Sequence, residues 1–200
     1  MSYESHSGMN GDPVVKRLFD IGFSMIALTV LLIPFCIIAL LVKFDSKGTV
    51  IYWSVRVGRD NTNFYMPKFR TMYKDAPEVP TNELDDPDKH ITKIGRLLRK
   101  YSCDELPQFL SVLSGDMSVV GPRPMIPKVK ELIDERTRTG VCSLRPGITG
   151  WAQINGRDNL SLKEKLCLET EYLHRQSLWF DLKIILKTIV YVVRARGVWH

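Results

Sequence analysis

The sequence lacks the residue patterns that build disulfide frameworks and metal clusters. Its four cysteines are scattered, none forms a CxxC pair, and no histidine stands at a zinc-ligand spacing from them. We therefore expect neither disulfides nor a zinc site, and a reducing cytoplasmic setting fits this composition. The four histidines show no ligand spacing either, so we interpret them as structural. The cysteines are Cys36, Cys103, Cys142 and Cys167.

Acidic residues are in the minority. The 200 residues include 28 lysines and arginines against 22 aspartates and glutamates, which gives a formal net charge of +6 and a pI near 9.2. This balance indicates an anionic partner: a phosphorylated substrate, a nucleic acid or an acidic lipid surface. Few aromatic residues stand beside basic ones, which argues against nucleic acid. With 44% hydrophobic residues and no internal repeat, the chain predicts one domain with attachments.

What the chain does contain is one long uncharged run, residues 21–42, after a polar stretch, residues 1–13, that we expect to be a disordered lead-in. At about 1.5 Å per residue, a helix of this length would cross a hydrocarbon core of roughly 30 Å. The run is too long for a signal peptide, and no cleavage site follows it. Pro34 in its middle predicts a kink. Two interpretations stay open: a single-pass anchor, or a helix that bends at Pro34 and leaves by the same face.

The remaining elements follow from hydrophobic period and turn residues. A β-branched and aromatic pattern around a Gly-Arg-Asp-Asn turn predicts a hairpin over residues 50–72. Residues 74–90 are acidic and interrupted by prolines, and we interpret them as a surface loop. Ser161 and Glu164 predict a capped helix that runs to about residue 174. Amphipathic patterns predict further helices over residues 92–101, 127–139 and 180–193.

The most informative stretch is SCDELP at residues 102–107, where two adjacent acids precede an apolar run. The plain interpretation is a helix start, because acids favour the first turn and Ser102 stands three residues before Glu105. Pro107 would then fall where a backbone N–H is required, so we favour Asp104 as the cap or near-cap. A carboxylate at a helix N-terminus among arginines is expected to have a lowered pKa. An ionised acid suits a nucleophile or a ligand of a hard metal ion.

A second unusual stretch, LRPGITGWAQINGR at residues 144–157, combines glycines with amides and arginines. We expect a loop whose N–H groups and cations could cradle a phosphate. The stretch lacks the spacing of a Walker loop and of a dinucleotide-binding loop. By itself it therefore supports phosphate binding only weakly.

Together these motifs resemble the bacterial sugar transferase family, and more closely its small monotopic polyprenyl-phosphate phosphoglycosyl transferases. The resemblance runs from residue 16 to about residue 191, nearly the whole chain. Its motifs, in order, are KRLFD at 16–20, KFRTM at 68–72, SCDELP at 102–107, GDMS at 115–118, GPRP at 121–124, RPGITG at 145–150, Gln153 with NGR at 155–157, and DLK at 181–183.

The resemblance implies transfer of a phosphosugar from a UDP-sugar to a membrane polyprenyl (undecaprenyl) phosphate, with release of UMP and with Mg²⁺ as cofactor. Asp104 would be the nucleophile that forms an aspartyl-phosphosugar, and Asp104 or Glu105 would also contact Mg²⁺. These roles suit the chemistry, since attack on a pyrophosphate needs an ionised nucleophile, cations and a hard metal ion. The implied substrate- and phosphate-binding residues are Lys68, Arg99, Arg123, Arg145, Thr149, Gln153, Asn155, Arg157 and Asp181.

The implied architecture is an α+β, mainly helical fold with a short β-hairpin and amphipathic interfacial helices. Residues 14–43 would form a re-entrant membrane helix–break–helix, and residues 44–200 a cytoplasmic catalytic domain. The protein would be monotopic, on the cytoplasmic face of the inner membrane. The family often has Ser-Pro at the break, whereas Ile33 precedes Pro34 here. The hydroxyl that could satisfy a freed backbone group is therefore missing.

The partners implied are the UDP-sugar, polyprenyl phosphate and membrane lipids, and the resemblance leaves room for a homodimer or for downstream glycosyltransferases. An alternative of another class is a non-enzymatic, single-pass basic membrane adaptor that binds anionic lipid. An adaptor explains the net charge and the apolar run. It does not require an intact Asp104-Glu105 pair, so the two hypotheses differ at these residues.

Overall fold

The computed structural model describes residues 13–77, 86–156 and 159–193. Helices dominate these residues, as predicted, and four short strands form two separate two-stranded sheets. The predicted lead-in lies outside the described residues except for Pro13, which begins the first helix. The helices are α1 (Pro13–Val30), α2 (Leu32–Asp45), α3 (Pro87–His90), α4 (Lys93–Lys100), α5 (Gln108–Ser114), α6 (Lys130–Thr139), α7 (Trp151–Ile154), α8 (Leu162–Arg175) and α9 (Leu178–Val193). The strands are β1 (Ile51–Val57), β2 (Asn63–Phe69), β3 (Ser118–Val120) and β4 (Gly147–Thr149).

Helices α1 and α2 meet at Leu31 with a bend of 63°. Pro34 is the third residue of α2 and has no N–H to donate to Val30, one turn earlier. The ladder resumes at once, since Phe35 N–H donates to the Leu31 carbonyl at 2.7 Å. Among the described residues, no single helix is long and apolar enough to cross a membrane, whereas the bent pair reaches that length and composition together. The predicted kink is therefore present, with the break itself at Leu31.

The predicted hairpin is present as the antiparallel pair β1–β2. Tyr52 pairs with Lys68, and Arg56 pairs with Phe64. Because side chains alternate along a strand, these four residues share one face of the hairpin. Phe64 and Met66 on this face belong to the main core, so it is the inner face. The hairpin thus carries Arg56 and Lys68 toward the interior of the protein.

A second sheet, which the sequence did not predict, pairs β3 and β4 in parallel. Each strand has three residues, and α6 lies in the connection between them. The two backbones approach closely at Gly121 and Gly147. A Cβ on Gly121 would lie 2.9 Å from the backbone nitrogen of Gly147, so both positions require glycine. Half of the stretch predicted as a phosphate-cradling loop, residues 144–157, forms β4 and α7.

Two hydrophobic cores hold the fold together. The larger core packs β2, α5, β3, α8 and α9 around fully buried residues such as Val112, Met117 and Ile184. The smaller core joins α2, β2 and α4. Both β2 and α4 also contact the turn at residues 103–105. The two cores thus hold β2 and α4 in place around this turn. The acidic side chains of the turn therefore have little conformational freedom.

A buried charged network ties α1 to the rest of the fold. Lys16 Nζ lies 3.1 Å from Asp20 Oδ1 and 2.8 Å from Asp181 Oδ2. The Val119 N–H donates to Asp20 at 3.1 Å, and the Tyr172 hydroxyl donates to Asp181 at 2.7 Å. Lys16 therefore joins α1 to α9. The hydrogen bonds from Val119 and Tyr172 connect these two helices to β3 and α8.

Candidate active site

The two adjacent acids lie in a 3-10 turn, Cys103–Glu105, that separates α4 from α5. Ser102 has a left-handed φ of 54°, its side chain makes no capping hydrogen bond within the described chain, and α5 begins only at Gln108. The prediction that Asp104 is the cap or near-cap of this helix is therefore wrong, since Pro107 stands at that position. Pro107 stands just before α5, where its missing N–H costs nothing. The turn directs both acids inward, so that Asp104 is 5% exposed and Glu105 is 8% exposed.

Burial changes the acidity of Asp104. Burial, together with the charge of Glu105, raises the pKa of Asp104 to about 6, although the nearby charges of Lys68 and Arg99 oppose the shift. The expected lowering of this pKa is therefore wrong in direction, because the sequence does not reveal how deeply the carboxyl is buried. Asp104 Oδ1 is buried and accepts no hydrogen bond from any described residue. The carboxyl is thus mostly ionised at neutral pH, with one oxygen that has no donor.

Cations from two different segments converge on Glu105. Lys68 Nζ, from the inner face of the hairpin, lies 2.7 Å from Glu105 Oε1. Arg123 Nη2, from the segment after β3, lies 3.7 Å from the same oxygen. Lys68 therefore forms a close ion pair with Glu105, whereas Arg123 stands beyond hydrogen-bonding distance of that oxygen.

Arg99 approaches Asp104 from the last turn of α4. Its Nε donates to Thr71 Oγ1 at 2.9 Å, which fixes the plane of the guanidinium. Burial lowers the pKa of Arg99, and the charge of Asp104 raises it. The structure thus brings together five of the residues that the resemblance implied: Asp104, Glu105, Lys68, Arg99 and Arg123.

Sequence reasoning missed one cation of this cluster, Arg56 of β1. Its Nε donates to Ser54 Oγ at 3.1 Å, so the side chain folds back along the inner face of the hairpin. Burial lowers the pKa of Arg56 and the charge of Arg123 lowers it further, while Glu105 raises it. Two like charges therefore stand close together beside a single carboxylate, an arrangement that an anionic ligand would stabilise.

The backbone explains why Arg56 comes close to Arg123. The Val57 N–H donates to the Met125 carbonyl at 2.8 Å, in an antiparallel bridge between the end of β1 and the segment after β3. The period of the predicted hairpin could have placed Arg56 on the same face as Lys68. The bridge joins residues far apart in sequence, and no local pattern predicts it.

The structure does not bring every predicted residue to this cluster. Arg145 Nε donates to the Gly115 carbonyl at 2.8 Å, just beyond the C-terminal end of α5, whereas Asp104 precedes the other end. The hydroxyls of Thr149 and Thr188 lie 2.6 Å apart in a shared hydrogen bond. Arg145 and Thr149 are thus engaged in contacts that stabilise the fold, and the substrate roles of these two residues stay predictions.

Of the last four predicted residues, three lie outside the cation cluster and one lies outside the described residues. Asp181 pairs with Lys16 in the buried network, and Asn155 donates to a carbonyl of α7 at 2.7 Å. Gln153 lines a small cleft together with Arg123. Its buried Oε1 accepts no hydrogen bond from the described residues, so it comes closest to a binding role. Arg157 lies outside the described residues.

The two acids fit a magnesium ion that completes its coordination shell with water and substrate phosphates. Asp104 and Glu105 offer the hard oxygen ligands that Mg²⁺ prefers, and Asp104 Oδ1 is buried without a described donor. Within the described ranges, no group of three or more histidines, cysteines or acids could hold a metal ion. Mg²⁺ commonly takes one or two carboxylates and completes its shell with water and substrate phosphates. The site therefore fits an ion that binds together with a phosphorylated substrate.

Comparison with known proteins identifies the family. Residues 11–195 match the family model described as bacterial sugar transferase. The chain belongs to this family. Undecaprenyl-phosphate glucose phosphotransferase of Komagataeibacter xylinus is 41% identical, over 89% of this chain and 36% of its own length. Exopolysaccharide production protein ExoY of Rhizobium meliloti (strain 1021) is 38% identical, over 92% of this chain and 88% of its own length.

A third relative, UDP-glucose:undecaprenyl-phosphate glucose-1-phosphate transferase of Escherichia coli (strain K12), is 38% identical, over 90% of this chain and 44% of its own length. The sugar transferase chain thus spans less than half of the first and third relatives and most of the second. Its membership confirms the predicted family and the predicted class of enzyme, and it argues against the adaptor hypothesis. The buried cluster around Asp104 lies entirely within the matched residues.

Proposed function

We propose that this sugar transferase moves a sugar 1-phosphate from a UDP-sugar to polyprenyl phosphate and releases UMP. The observation that carries the proposal is Asp104: a buried, mostly ionised carboxylate with one oxygen that no described donor engages. A second acid stands next to it, and cations surround both. The names of two relatives, a glucose phosphotransferase and a glucose-1-phosphate transferase that act on undecaprenyl phosphate, support the same reaction.

The proposed chemistry has two balanced steps. In the first, Asp104 Oδ1 attacks the phosphorus that bears the sugar, the bond to the bridging pyrophosphate oxygen breaks, and UMP leaves with that electron pair. In the second, a phosphate oxygen of the lipid attacks the same phosphorus, and the bond to Asp104 breaks. The product is a lipid pyrophosphate sugar, and the carboxylate is restored. Splitting one displacement into two through a covalent aspartyl-phosphosugar is the general advantage of nucleophilic catalysis.

The cations suit the charge of the substrate. Four of them, Arg56, Lys68, Arg99 and Arg123, face the two acids, which leaves a surplus of positive charge. The pyrophosphate of a nucleotide sugar carries a negative charge on each phosphate and neutralises that surplus. Fixed cations in a site protected from water stabilise the charge that develops on a leaving phosphate. When bound by Asp104 and Glu105, Mg²⁺ supplies further charge neutralisation on the phosphate oxygens.

The lipid acceptor gives the bent helix pair a role. Large apolar residues of α1 and α2 are exposed, among them Ile26, Val30, Ile33 and Phe44, which is 85% exposed. We propose that the pair is re-entrant and enters only the cytoplasmic leaflet of the inner membrane, as a monotopic segment. Apolar residues on α9, such as Trp179 at 80% exposure, suit the membrane interface. The lipid phosphate would then reach the cation cluster from the headgroup region.

The test is UMP release from a panel of UDP-sugars by the purified full chain with Mg²⁺, before any lipid is added. We expect one sugar to give a burst of UMP that approaches one equivalent per active site, because the first step needs no acceptor. Addition of polyprenyl phosphate then starts steady turnover. A direct transfer without intermediate releases UMP only after the lipid is added, and an adaptor protein releases none under either condition.

A further inference from the structure

Arg136 of α6 makes three hydrogen bonds from a buried position. Its Nε and Nη2 donate to the two carboxylate oxygens of Glu169 in α8, at 2.8 Å and 2.5 Å. Its Nη2 also donates to the backbone carbonyl of Arg123 at 3.0 Å. Arg136 is 8% exposed and Glu169 is 3% exposed. This pair therefore connects two helices to the backbone of an arginine that faces the acids.

The bond to the Arg123 carbonyl adds to the constraints on the backbone of that residue. Pro122 and Pro124 stand on either side, and each ring fixes the φ angle of its own residue. A following proline also restricts Arg123 to extended conformations. The direction of the Arg123 carbonyl depends on its ψ angle, which the bond from Arg136 holds. Since the side chain leaves from the adjoining Cα, the same bond helps to fix the direction in which the side chain leaves the backbone.

The position of this guanidinium decides whether it is available to a ligand. Arg123 Nη2 lies 3.7 Å from Glu105 Oε1, an oxygen that Lys68 already engages at 2.7 Å. If Arg123 moved closer to Glu105, the carboxylate would compete with a phosphate for its guanidinium. Held at its present distance, Arg123 keeps its donors available to an incoming substrate.

Stability alone does not explain an ion pair at this depth. Burying two charges costs solvation free energy that often equals the gain from pairing them, and an apolar pair of similar volume is commonly as stable. An apolar pair, however, offers no donor to the Arg123 carbonyl. We infer that Arg136 and Glu169 form a positioning pair that orients Arg123 toward a substrate phosphate. The inference rests on the proposed function, in which Arg123 is a phosphate ligand.

The first test uses Arg136→Lys, which keeps the charge but lacks the fork that reaches both Glu169 and the carbonyl. We expect the rate of UMP release before lipid is added to fall about 10- to 100-fold, by analogy with the removal of a group that orients a metal ligand. The dissociation constant for UDP should rise with it. Arg138→Lys is the matched control, since Arg138 lies on the same helix, is 74% exposed and pairs only with Glu135 among the described residues. An Arg136→Lys protein with the wild-type rate overturns the inference.

A double-mutant cycle separates positioning from a general structural effect. If Arg136 acts through Arg123, then adding Arg136→Lys to Arg123→Ala should slow the reaction by less than about twofold, because contacting residues that act together are not additive. A purely structural role predicts the opposite: Arg136→Lys slows the Arg123→Ala protein as much as it slows the wild type. That additive result contradicts the inference.

A second variant guards against loss of the fold. Replacing both partners, Arg136→Met with Glu169→Leu, fills the space with apolar groups and leaves no buried charge unpaired. We expect this protein to unfold at a temperature close to that of the wild type and still to release UMP slowly, since the carbonyl of Arg123 has lost its donor. A stable double variant with the wild-type rate rules out the positioning role.

The binding measurement keeps this inference distinguishable from the proposed function. If the wild type binds UDP but releases no UMP from any UDP-sugar, the proposed function fails. The positioning role is then decided by UDP binding alone. Weaker binding in Arg136→Lys, with no further loss when Arg123→Ala is added, supports the pair. Equal binding by Arg136→Lys and the wild type contradicts it.

Discussion

Among the residues that the structure describes, two pairs of buried acids have different kinds of partners. Asp20 and Asp181 share Lys16 Nζ at 3.1 Å and 2.8 Å, and each accepts a further hydrogen bond from a neutral donor. Asp104 and Glu105 have more cations around them than they can neutralise, yet Asp104 Oδ1 accepts no hydrogen bond from the described residues. Asp181 Oδ2 likewise forms no hydrogen bond of good geometry with a described residue, but Lys16 Nζ lies 2.8 Å from it. We therefore call the first pair closed and the second open.

The difference shows what each pair is suited to do. A closed network gains nothing from a ligand and serves to hold α1 against β3, α8 and α9. An open pair with surplus positive charge is less stable without an anionic ligand than with one, and Asp104 Oδ1 has no donor among the described residues. Burial by itself therefore does not distinguish the two pairs, whereas the partners of each acid do.

The largest expected effect is on the open pair. Asp104→Asn should lower the rate of UMP release at least about 10³-fold, because an amide does not attack phosphorus, and loss of a nucleophile is among the most severe single changes in an enzyme. The thermal unfolding temperature should not fall, since the amide removes a buried charge. Asp88→Asn, at an exposed acid, is the control. A rate near that of the wild type in Asp104→Asn would remove this residue from the chemistry.

The closed pair should respond in stability. Lys16→Met leaves Asp20 and Asp181 buried without their cation, and we expect the free energy of unfolding to fall by about 3 kcal/mol. Urea titration in detergent measures it, with the exposed Lys163→Met as the control. The molecules that remain folded should keep the wild-type rate of UMP release. If Lys16→Met leaves the unfolding free energy unchanged, the network does not anchor α1.

The cations of the open pair should affect rate more than stability. Arg123→Ala should slow UMP release about 10²-fold, on the scale of losing one donor to a developing oxyanion. Arg96→Ala is the matched control, because Arg96 is 64% exposed and belongs to the neighbouring helix α4. An unchanged rate in Arg123→Ala would leave Arg56, Lys68 and Arg99 to hold the phosphates.

The raised pKa of Asp104 in the open pair can be tested by pH. Since the pKa of Asp104 is raised to about 6, the rate of UMP release should fall as pH decreases through about 6. The contribution of Asp104 to the stability of the fold should, in contrast, increase as the pH decreases. A carboxyl whose pKa is higher in the folded state than in the unfolded state binds its proton more tightly when folded. The wild type should therefore gain stability relative to Asp104→Asn as pH falls from about 6 toward 4. Parallel unfolding curves for both proteins across this range would contradict the raised pKa.

The smallest change concerns the break between α1 and α2. Pro34→Ala restores a donor to the helix ladder and should shift the chain toward a spanning form. Cysteines at Ser5 and Lys47, in a background without native cysteines, report the topology. In the Pro34-containing protein both should resist a membrane-impermeant thiol reagent on intact cells and react after lysis. Labelling of the Ser5 site alone in intact cells would establish a single span.

Local patterns predicted the local parts of this fold. The hairpin followed from alternation and turn residues, and the capping box of Ser161 and Glu164 is present at the start of α8. The parallel sheet of β3 and β4 escaped prediction because its strands have three residues and their pairing spans a long connection. No periodic pattern exists in a strand that short.

The candidate site was predictable as a set of residue types more than as a geometry. The motifs indicated Asp104, Glu105, Lys68, Arg99 and Arg123, and the structure brings these five together. The sequence could not show that Asp104 sits in a 3-10 turn instead of a helix cap, because the same residue types favour both. The raised pKa of Asp104 and the contribution of Arg56 depend on burial and on a bridge between distant segments.

The most direct test of the difference between the pairs is the mass of the protein after brief mixing with a UDP-sugar and Mg²⁺, without lipid, followed by an acid quench. We predict an added mass equal to one sugar phosphate on the wild type and on Lys163→Met, absent from Asp104→Asn and lost when polyprenyl phosphate is supplied before the quench. An unmodified wild-type protein that has nevertheless released UMP, or the same added mass on Asp104→Asn, would contradict the assignment of Asp104 as the nucleophile.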